Sequence, residues 1–368
     1  MNKNKKIIIG AIIITIVAVL VGWQIYGNKQ SNSSSIKIGA LIVSSGDAAA
    51  WGENAKNAID LAVEEINNNG GINGKKIEVL YEDTAGEPKR AVSAYQKFVS
   101  VDKVDVIIGP LSQAEVAAVA PLIAQDKIPV VTPSYAPFQN RPVAYNPLLI
   151  WMDPTIEAEK MAEYVFNQGI KNISVVGTKD SWEMEVTEAF ANKFSAMGGK
   201  VLFRELLQPD TNDVKATVTK ALNSKPEAIF AGTYYQFVPL VKTIKELGYK
   251  GKLYSIEVDA YLAGETKPLS DNMQFIAPDF YAGEFMQKFE KKYNRKPGIP
   301  AGQAYDSMYI LAQLMDNKKN DDNIIKAMSE FKSYDGVSGK ITITGDYKTI
   351  MPTAIFEVQN GDIIKAVQ

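Results

Sequence analysis

The stretch IKIGALIVSSGDAAAWGENAKNAIDLAVEEINNNGGINGKKIEVLYED, residues 36–83, switches hydrophobic period twice. Few folds accommodate that pattern. Ile36 to Val43 is an apolar run of strand length. Ser44, Ser45, Gly46 and Asp47 break it with turn chemistry. From Trp51 onward the spacing becomes helical, with Ala55, Ala58, Ile59, Ala62, Val63 and Ile66 at three- and four-residue steps. Asn67 to Gly71 end that helix, glycine being able to take the left-handed cap. Ile77 to Tyr81 alternates as a second strand. Strands joined by a helical crossover are expected to be parallel, with a right-handed connection. Ligands in such sheets sit at the carboxyl ends of the strands. Residues 44–51 are therefore expected at the mouth of a binding site.

The unit repeats. Pro88 to Val101 reads as a helix, Val104 to Ile108 as a buried strand ended by Gly109 and Pro110, and Gln113 to Gln125 as a helix. Ile128 to Thr132 is the next strand, followed by a turn from Pro133 to Phe138. The order predicts a parallel, doubly wound sheet, with loops 44–51, 110–114 and 133–137 converging at one end. A second series begins after Ile150. Its helices are 156–166, 183–197, 214–222 and 238–247; its strands are 173–177, 201–206, 228–231 and 253–256. The strand-end loops here are 178–182 and 232–237, and the last strand stops at Glu257.

Length and composition narrow the function. A chain of 368 residues allows about two domains. The formal charge is –2; residues 1–35 hold four lysines and no acid, leaving –2 – 4 = –6 for the rest. A mildly acidic body argues against nucleic acid as a partner. There is no cysteine and no histidine. That excludes disulfides, thiolate metal sites, His-containing zinc sites and Ser-His-Asp or Cys-His catalysis. No cofactor, metal or catalytic residue is expected. Carboxylates are plentiful, but no spacing singles out a pair for glycosidase-like work.

Ile7 to Tyr26 is uncharged, largely apolar and about the ~20 residues that span a bilayer. Lys3, Lys5 and Lys6 precede it, and Trp23 and Tyr26 stand at its outer end, where aromatic rings favour the interface. No A-x-A-like cleavage site follows. A transmembrane anchor is expected over a cleaved signal peptide; either places the body outside the cytoplasm. Lys29 to Ser35 is a polar, Ser/Asn-rich tether.

The segments SSGDAAAWGE (44–53), AVEEINNNGGINGKKIEV (62–79), YEDTAGEPKRAV (81–92), VIIGPLSQA (106–114), IPVVTPSYAP (128–137), AGTYYQFVPLVKTIKELG (231–248) and AYDSMYILAQLM (304–315) occur in an order that resembles the type 1 periplasmic binding proteins. The resemblance is greatest to their leucine/isoleucine/valine-binding branch, and it runs from Ile36 to the C-terminus. It implies two Rossmann-like α/β lobes joined by a three-segment hinge, with the ligand between them. Lobe 1 would comprise 36–150 plus 278–332, and lobe 2 would comprise 151–277 plus 333–368, with 1–35 as anchor and tether.

The resemblance also implies site residues. In the amino-acid-binding relatives the first lobe grips the ligand carboxylate and the second its ammonium. Ser45 and Trp51 fall on the first loop, Trp51 matching a pocket-wall aromatic. Ser112, Gln113 and Ala114 match the loop that supplies a serine and backbone N–H groups, with Ser112 as the candidate replacement for a displaced serine. Ser134, Tyr135 and Ala136 match the second carboxylate loop, Ala136 standing where the family has threonine. Asp180 and Trp182 match another cleft loop, and Tyr234 and Tyr235 a pair of which one usually contacts ligand. Glu257 aligns with the ammonium-binding carboxylate, expected to be hydrated when the cleft is empty. Pro300 to Gly302 replace an aromatic wall residue. An acid ending an apolar strand is costly to bury unpaired, so Glu257 is expected to meet either the ligand's ammonium or a lysine or arginine of the second lobe. The function implied is a solute-binding component of an ABC importer, taking an amino-acid-like small molecule and partnering an ABC permease. The alternative is a membrane-tethered sensing domain acting through another protein.

Overall fold

The structure, a computed structural model, describes residues 35–366 apart from 47, 137–146, 210, 212, 280–282 and 317–320, and without the side chains of 321–323. The expected helix at 7–26 lies outside the described residues. Among those described, no helix is long and apolar enough to cross a membrane.

The first series forms a five-stranded parallel sheet in the order β2-β1-β3-β4-β5. Its strands are β1 (Ile36–Ile42), β2 (Ile77–Asp83), β3 (Val106–Ile108), β4 (Val130–Thr132) and β5 (Leu148–Leu149). Helix α1 (Ala49–Asn68) follows β1 and buries Ala55, Ala58, Ile59, Ala62 and Ile66 against it. Helices α2 (Pro88–Lys97) and α3 (Gln113–Asp126) cover the other face through Tyr95, Val119 and Ile123, joined by Phe98 of the π-helical turn that follows α2. Gly52 allows α1 to start so near the strand end: a Cβ there would lie 1.6 Å from the Val43 carbonyl oxygen. Gly109, at φ +93°, ends β3 where a Cβ would lie 2.3 Å from the Leu41 oxygen.

The second series repeats the plan. Its parallel strands β6 (Asn172–Thr178), β7 (Lys200–Leu207), β8 (Ala228–Gly232), β9 (Lys252–Ile256) and β10 (Gln274–Pro278) lie in the order β7-β6-β8-β9-β10. Both lobes thus have a 2-1-3-4-5 order, and each puts its switch point beside its first strand. Helices α4 (Pro154–Asn167) and α5 (Ser181–Ala196) pack on one face, where Phe190 stacks on Phe230 at 3.9 Å. Helices α6 (Lys215–Asn223) and α7 (Phe237–Glu246) cover the other face, and α8 (Ala260–Glu265) follows β9.

After β10 the chain returns to the first lobe. Helices α9 (Glu284–Tyr293), α10 (Ala301–Asp316) and α11 (Asp321–Glu330) add Phe289, Met308, Leu311 and Ile325 to the core beneath α1. The next segment differs from expectation. Strands β11 (Ser333–Gly336), β12 (Gly339–Ile343) and β13 (Thr349–Ile350) form a separate antiparallel sheet, and Ile341 and Met351 join the first-lobe core. Buried Asp306 of α10 holds this sheet by accepting the Val337 and Ser338 N–H groups at 2.8 Å. Only β14 (Thr353–Gln359) and β15 (Asp362–Lys365) extend the second-lobe sheet, both antiparallel. The expected boundary at 333 therefore falls too early, because a contact made through Asp306 leaves no mark on local periodicity.

Three chain segments run side by side between the lobes. The Asp153 N–H donates to Thr349 O at 2.8 Å, the Thr349 hydroxyl to Leu149 O at 2.8 Å, and the Asp279 N–H to Pro352 O at 3.0 Å.

Candidate functional site

A cavity of about 310 Å³ lies between the lobes, at the carboxyl ends of both sheets. That is the lower end of the ~300–1,000 Å³ usual for small-ligand sites. Six aromatic side chains contribute to its walls. Trp51 stands in the first turn of α1, and Trp151 comes from the first crossing segment. The two rings meet edge to face at 6.0 Å. Ile299 packs against them with Tyr135. Trp182, Tyr234 and Tyr235 complete the wall from the second lobe, the two tyrosines edge to face at 6.1 Å.

The first-lobe end is polar without being charged. Ser112 is the N-cap of α3; its Oγ accepts the Glu115 N–H while Glu115 accepts the Ser112 N–H. This capping box turns the Ser112 oxygen toward its own helix, leaving its hydroxyl proton to donate. Gln113 and Ala114 also line the cavity, and neither polar atom of the Gln113 amide has a partner among the described residues. Ser134 lines it too, its hydroxyl within 3.4 Å of Tyr135 O. The Tyr135 hydroxyl crosses the cleft to donate to Glu185 of α5 at 2.7 Å. Among the described residues, no lysine or arginine lines the cavity.

The second-lobe end is acidic. Asp180 caps α5 by accepting the Trp182 N–H at 3.0 Å. Glu183, one turn on, is buried and accepts the N–H groups of Tyr234 at 2.7 Å and Tyr235 at 3.3 Å. It fixes the loop that carries both tyrosines. Burial pushes its carboxyl up to about 7, those hydrogen bonds opposing the shift. The Tyr234 hydroxyl is held by Asp259 at 3.1 Å. Glu257 reaches the cavity from the end of β9, at φ +49°, and accepts the Trp151 indole N–H.

Glu257 differs from one expectation for it. It is 5% exposed at the cavity wall, and the charged side chain it meets is neither lysine nor arginine. Its carboxyl faces that of Glu157 of α4, which is wholly buried and whose two oxygens have no hydrogen-bond donor among the described residues. Burial pushes Glu257 up to about 8 and Glu157 well above the usual carboxylate range. Two further expected residues stand apart from the cavity. Ser45 is exposed and donates to Asp83 at 2.6 Å. Ala136 is buried against Val116 and Leu149. In both cases a hydrogen bond or a packing partner from elsewhere in the lobe turns the side chain away. Ala301 is buried behind Ile299, which takes the wall position near 300–302.

Trp151, Glu183 and Glu157 were not among the sequence candidates. A signal for the two acids was present: each sits on the apolar stripe of its helix. Glu157 shares a face with Ala158, Met161 and Val165, and Glu183 with Val186, Phe190 and Phe194. An ionisable residue at a core position needs a specific partner.

Two doubly wound lobes, with an aromatic cavity closed between their strand ends, define a hinged small-molecule binding protein. The chain belongs to the periplasmic binding protein family, whose model matches residues 35–362. It is similar to the Leu/Ile/Val-binding protein BraC3 of Rhizobium johnstonii, 30% identical over 204 residues. The match covers 55% of this chain, which thus spans about half the length of that relative (55%). The fold is that of LivJ, a branched-chain amino acid transporter substrate-binding protein from Streptococcus pneumoniae solved with isoleucine. The TM-score is 0.81 at 23% identity, covering 90% of this chain and 100% of that one. A solute-binding protein of an ABC transporter from R. palustris, solved with benzoate, superposes with TM-score 0.77 at 18% identity, covering 90% and 95%.

Proposed function

We propose that the protein captures an amino acid, or a small molecule close to one, outside the cytoplasm and delivers it to an ABC permease. The observation that carries this reading is the polarity of the cavity. At one end stand the unpartnered Gln113 amide and the N-terminus of α3; at the other stand Glu257 and Glu183. A helix N-terminus suits a carboxylate, and a carboxylate beside aromatic rings suits an ammonium group. The aromatic wall between them takes the apolar part of the ligand. The names of the relatives agree with this class. A protein of this fold was solved with benzoate, and with alanine at 136 the acid end is left with the hydroxyls of Ser112 and Ser134, backbone N–H groups and Gln113. The apolar, lysine-flanked segment 7–26 supports attachment of the exported body to the membrane.

A thermal-shift screen of the purified protein against amino acids, amides and small organic acids tests the reading. A ligand at about 100 times its dissociation constant adds roughly 2.7 kcal/mol of stability. Stabilisation confined to organic acids without an amino group would refute the amino-acid assignment.

A further inference from the structure

The charged groups of the cavity are of one sign, and they are spread along it. Asp180, Glu183 and Glu257 line it, while among the described residues no lysine or arginine does. Glu183 is spent on the Tyr234 and Tyr235 N–H groups. Glu257 is 5% exposed, and its Oε1 has no hydrogen-bond partner among the described residues. Asp180 gives Oδ1 to the Trp182 N–H at 3.0 Å. Its neighbour Lys179 lines a separate surface depression with Arg204 and Lys220, not the cavity. At the first-lobe end a further acid, buried Glu115, accepts the Ser112 N–H.

One strand separates Asp180 from Glu257. Asp180 stands two residues beyond β6, Glu257 follows β9 directly, and β8 runs between those two strands. At about 4.8 Å per strand spacing, the two strand ends lie about 9.5 Å apart. The loop after β8 fills the interval with Tyr234 and Tyr235, whose rings meet edge to face at 6.1 Å. Tyr234 is tied to the Glu257 side, its hydroxyl donating to Asp259 at 3.1 Å. Tyr235 is tied to the Asp180 side, its N–H donating at 3.3 Å to Glu183 in the first turn of the helix that Asp180 caps. Aromatic faces between two acids suit cations at either end. A single ammonium group at Glu257 leaves Asp180 without a counter-charge when the cleft closes, and a desolvated acid left unpaired is costly. A ligand carboxylate at the N-terminus of α3 adds one more negative charge, which a second cation on the ligand offsets.

We propose that the cleft selects a ligand with two cationic groups joined by an aliphatic chain, the first meeting Glu257 and the second meeting Asp180 at the Trp182 and Tyr235 end of the wall. Basic amino acids and diamines share this chemistry. The inference rests on the amino-acid reading above and names the ligand's side chain. Asp180 is then a specificity-determining residue as well as a helix cap. Its charge matters doubly, because without it the N-terminus of α5 presents its positive dipole end to the incoming cation.

The test uses the full-length protein in detergent and calorimetric titration with matched probes. L-Lysine is compared with L-norleucine, which lacks only the second ammonium, and 1,5-diaminopentane with pentylamine. The expected result is that the better of the two dicationic probes binds at least about tenfold more tightly than its singly charged counterpart. Tighter binding of lysine than of diaminopentane assigns a basic amino acid; the reverse assigns a diamine. Asp180→Asn keeps a capping side chain and removes the charge. It should bring the preference to within about threefold of unity. A role in capping alone would weaken both probes of a pair alike and leave their ratio unchanged, which overturns the proposal. Asp180→Ser, also a capping residue, repeats the measurement where the asparagine variant folds poorly. Binding of L-norleucine or pentylamine as tight as that of its dicationic counterpart overturns the proposal and leaves the amino-acid reading standing. Failure of every ammonium-bearing probe to bind refutes that reading, and the proposal with it.

Discussion

Glu183 gives a prediction whose size follows from its surroundings. Its carboxylate accepts two backbone N–H groups, one at 2.7 Å and one at a weaker 3.3 Å. Glu183→Gln keeps an acceptor oxygen there and removes the titration; Glu183→Ala removes the acceptor. A buried donor left unpaired costs about 1–3 kcal/mol. With one strong and one weak bond, the alanine variant should lose about 2–4 kcal/mol at about pH 5. The glutamine variant separates the hydrogen bonds from the charge. Burial raises the folded carboxyl from 4.5 to about 7. The native state therefore holds the proton more tightly than the unfolded chain. That stabilisation is complete below about pH 4.5 and is lost as pH rises through about 7. The gap is worth about 3 kcal/mol. Relative to wild type, Glu183→Gln should gain about that much between about pH 4.5 and pH 8. Urea unfolding of the empty protein across this range measures it. A wild-type minus glutamine difference that stays flat with pH would refute the reasoning, as would an alanine variant as stable as wild type.

Tyr135→Phe removes the hydrogen bond that spans the cleft to Glu185. At about 1.5–3 kcal/mol for a bond to a charged group, ligand affinity should fall roughly tenfold or more, with the loss in the off-rate; unchanged dissociation in stopped flow would show that the bond does not hold the lobes together. Gly52→Ala places a methyl group against the Val43 carbonyl. Because backbone rather than a flexible side chain must move, the cost should reach at least about 3 kcal/mol, with Trp51 displaced and binding weakened; a wild-type melting temperature would contradict the packing. The segment 7–26 should keep the native protein with the membrane through a high-salt wash, which strips charge-bound proteins but not a spanning helix. Recovery of the mature protein beginning beyond Gly27 from the soluble fraction would exclude the anchor.

The sequence by itself determined the alternation of strands and helices, the loops that end the strands and the first passage from one strand–helix series to the next near Ile150. These are local properties. Period, turn residues and caps are each set within a few positions, and Asp180 and Ser112 cap the helices that their own loops begin. Parallel α/β order then fixes which strand-end loops face a ligand, and the family resemblance marked Trp51, Gln113, Tyr135, Trp182, Tyr234 and Glu257 within or beside them, all of which line the cavity. The tertiary structure decided what those side chains meet there. Glu157 and Glu257 are a hundred residues apart, on a helix and after a strand. Nothing in either neighbourhood encodes that two carboxyl groups share one buried site. Trp51 and Trp151 come from α1 and a crossing segment, and their contact exists only once the chain has folded. Ser45 and Ala136 fall in the right loops but point to Asp83 and to a small apolar cluster. Local pattern fixes which loops reach the cleft; direction, burial and protonation depend on neighbours that only the folded chain supplies.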